Sequence, residues 1–320
     1  MTVTLPPPAR PDLRPAVEPA YRVFDVRVQR VRPLGHSFVR ITLSGPDLQH
    51  FADNGDDQRI KLVLPLTDGG TDGYERFPRD LDWYAAWRSL PDERRNPLRT
   101  YTVRAVRHCG TTGCEVDVDM VLHGLEGPAS RWASAARAGH RLLVVGPNRR
   151  CSGDTRAAAW APQPSARCVL IGADETAVPA AAAILEGLPA HATGVAVLEI
   201  PSSDDRLPLS HPAGVHVRWL VRDGAPGVRL ADAVVQEVST LLPRASRHPR
   251  LDGGCDAADT EIVWEVPDTR AAATESPLYA WLAGEAQAIT ALRRRLVRDL
   301  GMDRRSVAFM GYWRQGRAEC

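Results

Sequence analysis

Apolar and polar positions alternate through the first half of the chain, and the period changes in the second half. Tyr21 to Arg32 and Ser37 to Ser44 alternate as half-buried strands do, with Pro33-Leu34-Gly35 as the turn between them. Gln58 to Leu64 predicts a further strand that carries Lys61. Arg99 to Arg104 follows as another. Cys114 to Leu122 then sets Val116, Val118 and Met120 against Asp117 and Asp119. A helix is expected to start after Gly127, and Arg141 to Val145 returns as a strand closed by Gly146-Pro147. Short strands at this spacing predict a small antiparallel β-barrel.

From Cys168 the chain alternates strand with helix. Strands are expected at Cys168–Gly172, Val195–Ile200, Val215–Val221 and Leu278–Ala283. Helices are expected at Ala177–Leu188, Leu230–Leu242 and Glu285–Leu300. This order predicts an open, mainly parallel α/β sheet. Ligands of such sheets lie beyond the carboxyl ends of the strands. Asp174, Glu175 and Thr176 stand at one such end, and Gly284-Glu285 at another. The chain thus divides into an arm over 1–20 that reads as disordered, a barrel over 21–150, a linker rich in proline and alanine over 151–166, and an α/β domain over 167–320. Two excursions interrupt the pattern. Thr67 to Pro97 is polar, but its Trp83, Tyr84 and Trp87 predict that part of it folds onto the body. Arg244 to Ala273 reads as a polar surface insertion.

Composition narrows the function. The 320 residues carry a formal net charge of +1, so nothing draws the chain to nucleic acid or to an anionic membrane surface. No apolar run is long enough to span a bilayer, and the N-terminus lacks the apolar core of a signal peptide, so a cytoplasmic protein is expected. Six cysteines occur without a Cys-x-x-Cys pair. Cys109 and Cys114 read as neighbours across a hairpin, and neither a built-in iron–sulfur cluster nor another metal site is expected.

The stretch Arg99-Thr100-Tyr101-Thr102-Val103-Arg104 carries the most chemistry. Tyr101 offers a stacking plane for a flat electron-accepting ring, Thr102 a hydrogen bond at its edge, and Arg99 a partner for pyrophosphate. The same hexapeptide also suits an ordinary strand with exposed arginines. Gly127, Pro128, Ala129 and Ser130 leave the backbone uncovered at a helix start, which suits a phosphate or a plain strand-to-helix turn. A barrel followed by a nucleotide-type domain is the layout of flavin reductases. Those usually place glycines after the first α/β strand, whereas carboxylates stand there here and would repel phosphate.

Five blocks in order resemble the siderophore-interacting protein family, the ferric-siderophore reductases of the vibriobactin-utilisation type. They are RTYTVR (Arg99–Arg104), VLHGLEGPASRWA (Val121–Ala133), GADETAVPA (Gly172–Ala180), AWLAGEAQAI (Ala280–Ile289) and GYWRQG (Gly311–Gly316). The resemblance implies a ferredoxin-reductase-like fold: an FAD-binding barrel followed by an NAD(P)H-binding-like α/β domain. It implies that Arg99, Tyr101 and Thr102 hold the isoalloxazine and its phosphate side. His123 and the Gly127–Ser130 start would hold the ribityl and pyrophosphate. Asp174, Glu175 and Thr176 would face the flavin from the second domain, and Tyr312 and Trp313 would fold back over it.

The resemblance further implies an anionic ferric siderophore, a catecholate among the candidates, met by Lys61, Arg149 and Arg314. The family's arginine after Gly-Pro is replaced here by Asn148. Hydride would pass from NAD(P)H to FAD and single electrons from reduced flavin to Fe(III), with release of Fe(II) and no catalytic acid or base. A ferredoxin remains open as donor. Glu199 and Arg222 leave NADH against NADPH open, and Arg293, Arg294 and Arg295 read as a solvated helix face. A monomer is expected. The alternatives are a flavin reductase serving another acceptor, and a siderophore carrier that binds without reducing.

Overall fold

A computed structural model describes residues 18–66, 73–108, 113–122, 124, 127–242, 264–268 and 276–316. The first half forms a seven-stranded antiparallel sheet. Its strands are β1 (Tyr21–Pro33), β2 (Phe38–Gly45), β3 (Arg59–Val63), β4 (Leu98–Thr102), β5 (Ala105–His108), β6 (Cys114–Val121) and β7 (Arg141–Pro147). The spatial order is β4-β3-β7-β1-β2-β6-β5. The two edge strands are therefore consecutive in the chain. Val103 donates its N–H to Gln58 on the β3 side, and Arg104 donates to Asp117 on β6. The stretch Arg99–Arg104 thus runs from one edge of the sheet to the other and closes it, which removes the open edges a flat sheet would expose. Alternation explains the core: Phe24, Val26 and Val28 of β1 are buried against Ile41, Leu43, Val116 and Val118, while their neighbours face water.

The second half builds a six-stranded sheet from β8 (Cys168–Ala173), β9 (Gly194–Ile200), β10 (Val215–Val221), β11 (Trp264–Glu265), β12 (Leu278–Glu285) and β13 (Val307–Trp313). The order is β10-β9-β8-β12-β13-β11, parallel except for the edge pair of β11 with β13. Every residue of β12 is buried, as expected of a central parallel strand covered on both faces. One face carries α4 (Val228–Leu241) and α5 (Ala286–Arg293). The other carries α3 (Val178–Gly187), whose alanines allow close approach, and meets the barrel residues Phe38 and Val121. The strand order reverses between β8 and β12, so Asp174 and Glu285 lie at the topological switch point.

The strand expected at Arg99–Arg104 ends at Thr102, and the helix expected over Glu285–Leu300 widens to a π-helix over Arg294–Asp299. Strand β13 was not expected; the apolar run Val307–Met310 is its signal. Of the first excursion, Trp87 is buried on the short helix α1 (Trp83–Arg88), whereas Tyr84 stays exposed. Of the expected arm, residues 1–17 lie outside the described residues, but 18–20 are fastened: Asn148 Nδ2 donates to Glu18 and to the Pro19 carbonyl, and Arg150 pairs with Glu18. Nor is the linker loose. Fully buried Asp57 accepts from the Ala159 and Trp160 amides and from Trp281 Nε1, so one carboxylate joins barrel, linker and second sheet. Arg104 completes the junction with a bidentate pair to Glu186 of α3, at 2.7 and 2.5 Å. Among the described residues, no helix is long and apolar enough to cross a membrane.

Candidate functional site

Strand β4 presents Tyr101 half-buried against the barrel core, opposite Ile60 of β3. Burial pushes the Tyr101 hydroxyl up to about 12, against the pull of the Arg99 cation, so it stays a neutral phenol at neutral pH. Arg99 is half-buried, and Thr102 is buried opposite Arg59. On the same core sits α2 (Pro128–Ala135), through Ala129 and Ala133. Its N-cap is Gly127 and no side chain caps it. A Cβ built on Gly127 would meet nothing within 4 Å, so the helix start is open. Tyr101 of β4 and Ala129 of α2 thus pack on the same core, and both elements contact β6. His123 lies outside the described residues.

The switch point differs from expectation. Asp174 and Glu175, expected to look onto a flavin, are 0 % exposed. Asp174 is spent internally. Oδ1 accepts from the Thr176 amide and hydroxyl, and Oδ2 from the Glu285 amide and, at 2.7 Å, from Trp313 Nε1. Burial raises its pKa against these bonds. Gly284 makes room for this carboxylate: a Cβ there would come 2.7 Å from Asp174 Oδ2. Glu175 pairs with Arg222, which also reaches Glu199. Glu199 in turn accepts from the Gly227 and Leu230 amides at the start of α4. Arg222 and Glu199, left open as readers of a nucleotide 2′-phosphate, are thus partners of buried groups. Only Thr176 of the trio keeps exposed surface.

Trp313 is turned to the switch point by its bond to Asp174, while Tyr312 faces the barrel side of the sheet. The Tyr312 ring stacks on Trp264 of β11, centroids 5.8 Å apart and planes within 7°. The guanidinium of Arg59 lies over the Trp264 ring, 4.6 Å from its centroid. Because Arg59 is the cross-strand partner of Thr102, the contacts run continuously from the hexapeptide to the C-terminal segment. The Tyr312 hydroxyl is buried and, among the described residues, has no hydrogen-bond partner.

The three expected acceptor contacts lie on different elements. Lys61 sits on β3 with Nζ 3.2 Å from the Thr100 hydroxyl. Arg314 follows Trp313 and is half-buried. Arg149 is tied to the Gln49 carbonyl and His50 carbonyl instead. Asn148, in place of the family's arginine, is fully buried and holds the Glu18–Pro19 segment.

Models of two domains match the chain: a siderophore-interacting FAD-binding domain over residues 27–151 and a siderophore-interacting protein domain over 166–316. The chain belongs to the siderophore-interacting protein family. A Mycobacterium tuberculosis protein without an assigned activity is 35 % identical over 91 % of this chain and 90 % of its own. The ferric vibriobactin reductase ViuB of Vibrio cholerae is 27 % identical over 91 % of this chain and 89 % of its own. The crystal structure of the siderophore-interacting protein SipS from Aeromonas hydrophila superposes with a TM-score of 0.61 at 28 % identity, covering 93 % of this chain and 94 % of that one. The arrangement is ferredoxin-reductase-like; a solved ferredoxin reductase shares it as a likeness of fold alone.

The barrel is thus the family's FAD-binding domain, and its residues fit that cofactor. The open start of α2 suits a pyrophosphate, Arg99 adds a cation, Tyr101 a ring face, and the orphaned Tyr312 hydroxyl an unused polar group beside the same strand. Sequence reasoning missed Arg59, Asp57 and Trp264. Arg59 could have been found from its spacing, two residues before Lys61 on the same strand face; Trp264, inside a polar insertion, gave no signal.

Proposed function

We propose that this protein is a flavin-dependent reductase that carries electrons from NAD(P)H, or from a ferredoxin, to an anionic ferric siderophore and releases Fe(II) in the cytoplasm. The contact chain Thr102–Arg59–Trp264–Tyr312 supports this reading most directly, because it ties the C-terminal aromatic to the strand that presents Tyr101. When bound, FAD supplies the conversion of a two-electron donor into single electrons. The chain's own residues bind and orient. Arg99 and the amides of α2 take the pyrophosphate, with His123 nearby in sequence. Tyr101 offers a plane and Thr102 an edge contact. Tyr312 and Trp313 shield the site from the second domain with Thr176. Lys61, Arg149 and Arg314 attract a negatively charged iron complex. Fe(II) is held less tightly than Fe(III) by hard oxygen ligands, so reduction frees it. The protein acts as a monomer.

The name of the V. cholerae relative favours a ferric siderophore over other acceptors. The test is anaerobic. The yellow, FAD-loaded protein is reduced with NADH or NADPH, then mixed with ferric chelates while flavin absorbance is followed. Reoxidation by a ferric siderophore is expected. Binding without reoxidation would mark a carrier, and reoxidation only by non-iron acceptors a different flavin reductase; either overturns the proposal.

A further inference from the structure

We infer that Arg59, held flat on Trp264, is a specificity-determining contact for an anionic ferric chelate. This rests on the reading of the protein as a ferric-siderophore reductase.

Arg59 has no carboxylate partner among the described residues, although Asp56 and Asp57 precede it in sequence. Arg30, Arg40, Arg104, Arg107, Arg141 and Arg222 each pair with at least one acid. Arg59 instead donates Nε to the Ala157 carbonyl at 3.2 Å and lays its guanidinium over the Trp264 indole. The nearby Asp57 does not neutralise it by contact: both oxygens accept from Ala159, Trp160 and Trp281. Asp56 pairs with Arg156.

A guanidinium stacked on an indole keeps its charge and directs its remaining N–H groups outward in the plane. That edge suits two adjacent oxygens of a chelate, as on a catecholate or carboxylate. The anchoring bond through Nε fixes its direction beforehand, which lowers the entropy lost on binding. Trp264 is 40 % exposed and sits on an edge strand, so the stacked pair borders solvent rather than a sealed core. Arg59 and Lys61 lie two residues apart on one face of β3, opposite Thr102 and Thr100. The pair therefore stands along the hexapeptide, with Arg59 joined to Tyr312 through Trp264. A purely structural cross-link between barrel, linker and β11 would serve with any flat side chain; a bare charge at this position serves an anion.

Equilibrium dialysis on the FAD-loaded protein tests this with two probes, a ferric tris-catecholate, which is anionic, and ferric tris(acetohydroxamate), which is neutral. Arg59→Gln is expected to weaken tris-catecholate binding about tenfold or more, the size of a lost charge-assisted contact. The neutral chelate should bind as before, with binding of both chelates expressed per bound FAD. Arg59→Lys should recover part of the loss. Trp264→Ala, on the exposed edge, should shift the same preference in the same direction and serves if Arg59→Gln does not fold. Equal losses for both chelates, or no loss for either, overturn the inference while leaving the reductase reading intact. A wild-type protein that binds neither chelate overturns both.

Discussion

Helix α2 starts at Gly127, which has no side chain to cap it, whereas α4 starts at Gly227 with both oxygens of Glu199 upon its amides. Helix α5 follows the second pattern, since Glu285 accepts from the Gln287 and Ala288 amides. Every helix start offers unsatisfied N–H groups and a partial positive charge. In the α/β half the protein supplies its own buried anion to α4 and α5. In the barrel half the N-cap of α2 is a glycine, which supplies no such anion. The contrast is the ground for the proposal that α2 takes the pyrophosphate. At the switch point, where an open α/β sheet ordinarily takes a nucleotide, Asp174, Glu175 and Glu199 already occupy the interior.

The strongest way to break this comparison is to make α2 resemble α4. In Gly127→Asp the new side chain has room, and Asp is a favoured N-cap at the extended backbone angles found there. The apo protein should be as stable as before or slightly more so. FAD affinity should fall about 100-fold, because a carboxylate then stands against the pyrophosphate. Retained FAD, measured by absorbance after gel filtration, would show that α2 does not hold the phosphates. The reverse change comes next in size. Glu199→Gln should cost about 1–3 kcal/mol in urea unfolding, because a charged cap is lost and Arg222 keeps only Glu175. FAD content should not move.

The smallest effect separates single carboxylates of the two halves. Burial pushes Asp117 of β6 up, but bonds from Arg107 and Thr42 outweigh it and hold its carboxyl below the ordinary range. Its contribution is then fully present above the unfolded value of about 4 and is lost as pH falls through the folded value. Asp174 is shifted upward by burial, so its contribution instead declines as pH rises through its folded value. Asp117→Asn should lower stability at neutral pH by about 1 kcal/mol and flatten the loss below about pH 4. An unchanged acid limb in pH-dependent denaturation would show that the Arg107 pairing is immaterial.

Much of this was legible in the chain because it depends on local periodicity. The alternation in Tyr21–Arg32 and Cys114–Leu122 predicted a barrel, and the strand–helix alternation from Cys168 predicted a parallel sheet, because each pattern must bury an apolar face at its own period. The hexapeptide and the helix start at Gly127 were visible because glycine, proline and an alternating aromatic report backbone geometry directly. The fates of the charged residues were not visible. Whether Asp174 faces a ligand or caps a turn, whether Glu199 reads a ribose or holds α4, and whether Asn148 is a lost contact or a clamp depend on partners far away in sequence. Trp313 lies 139 residues from Asp174, and Trp281 lies 224 from Asp57. The sequence alone determined the barrel and the strand–helix alternation of the second domain, though not β11 or β13. Only the tertiary structure decided which charges remain available, because an ionised group's role is set by the neighbours that share its low-dielectric surroundings.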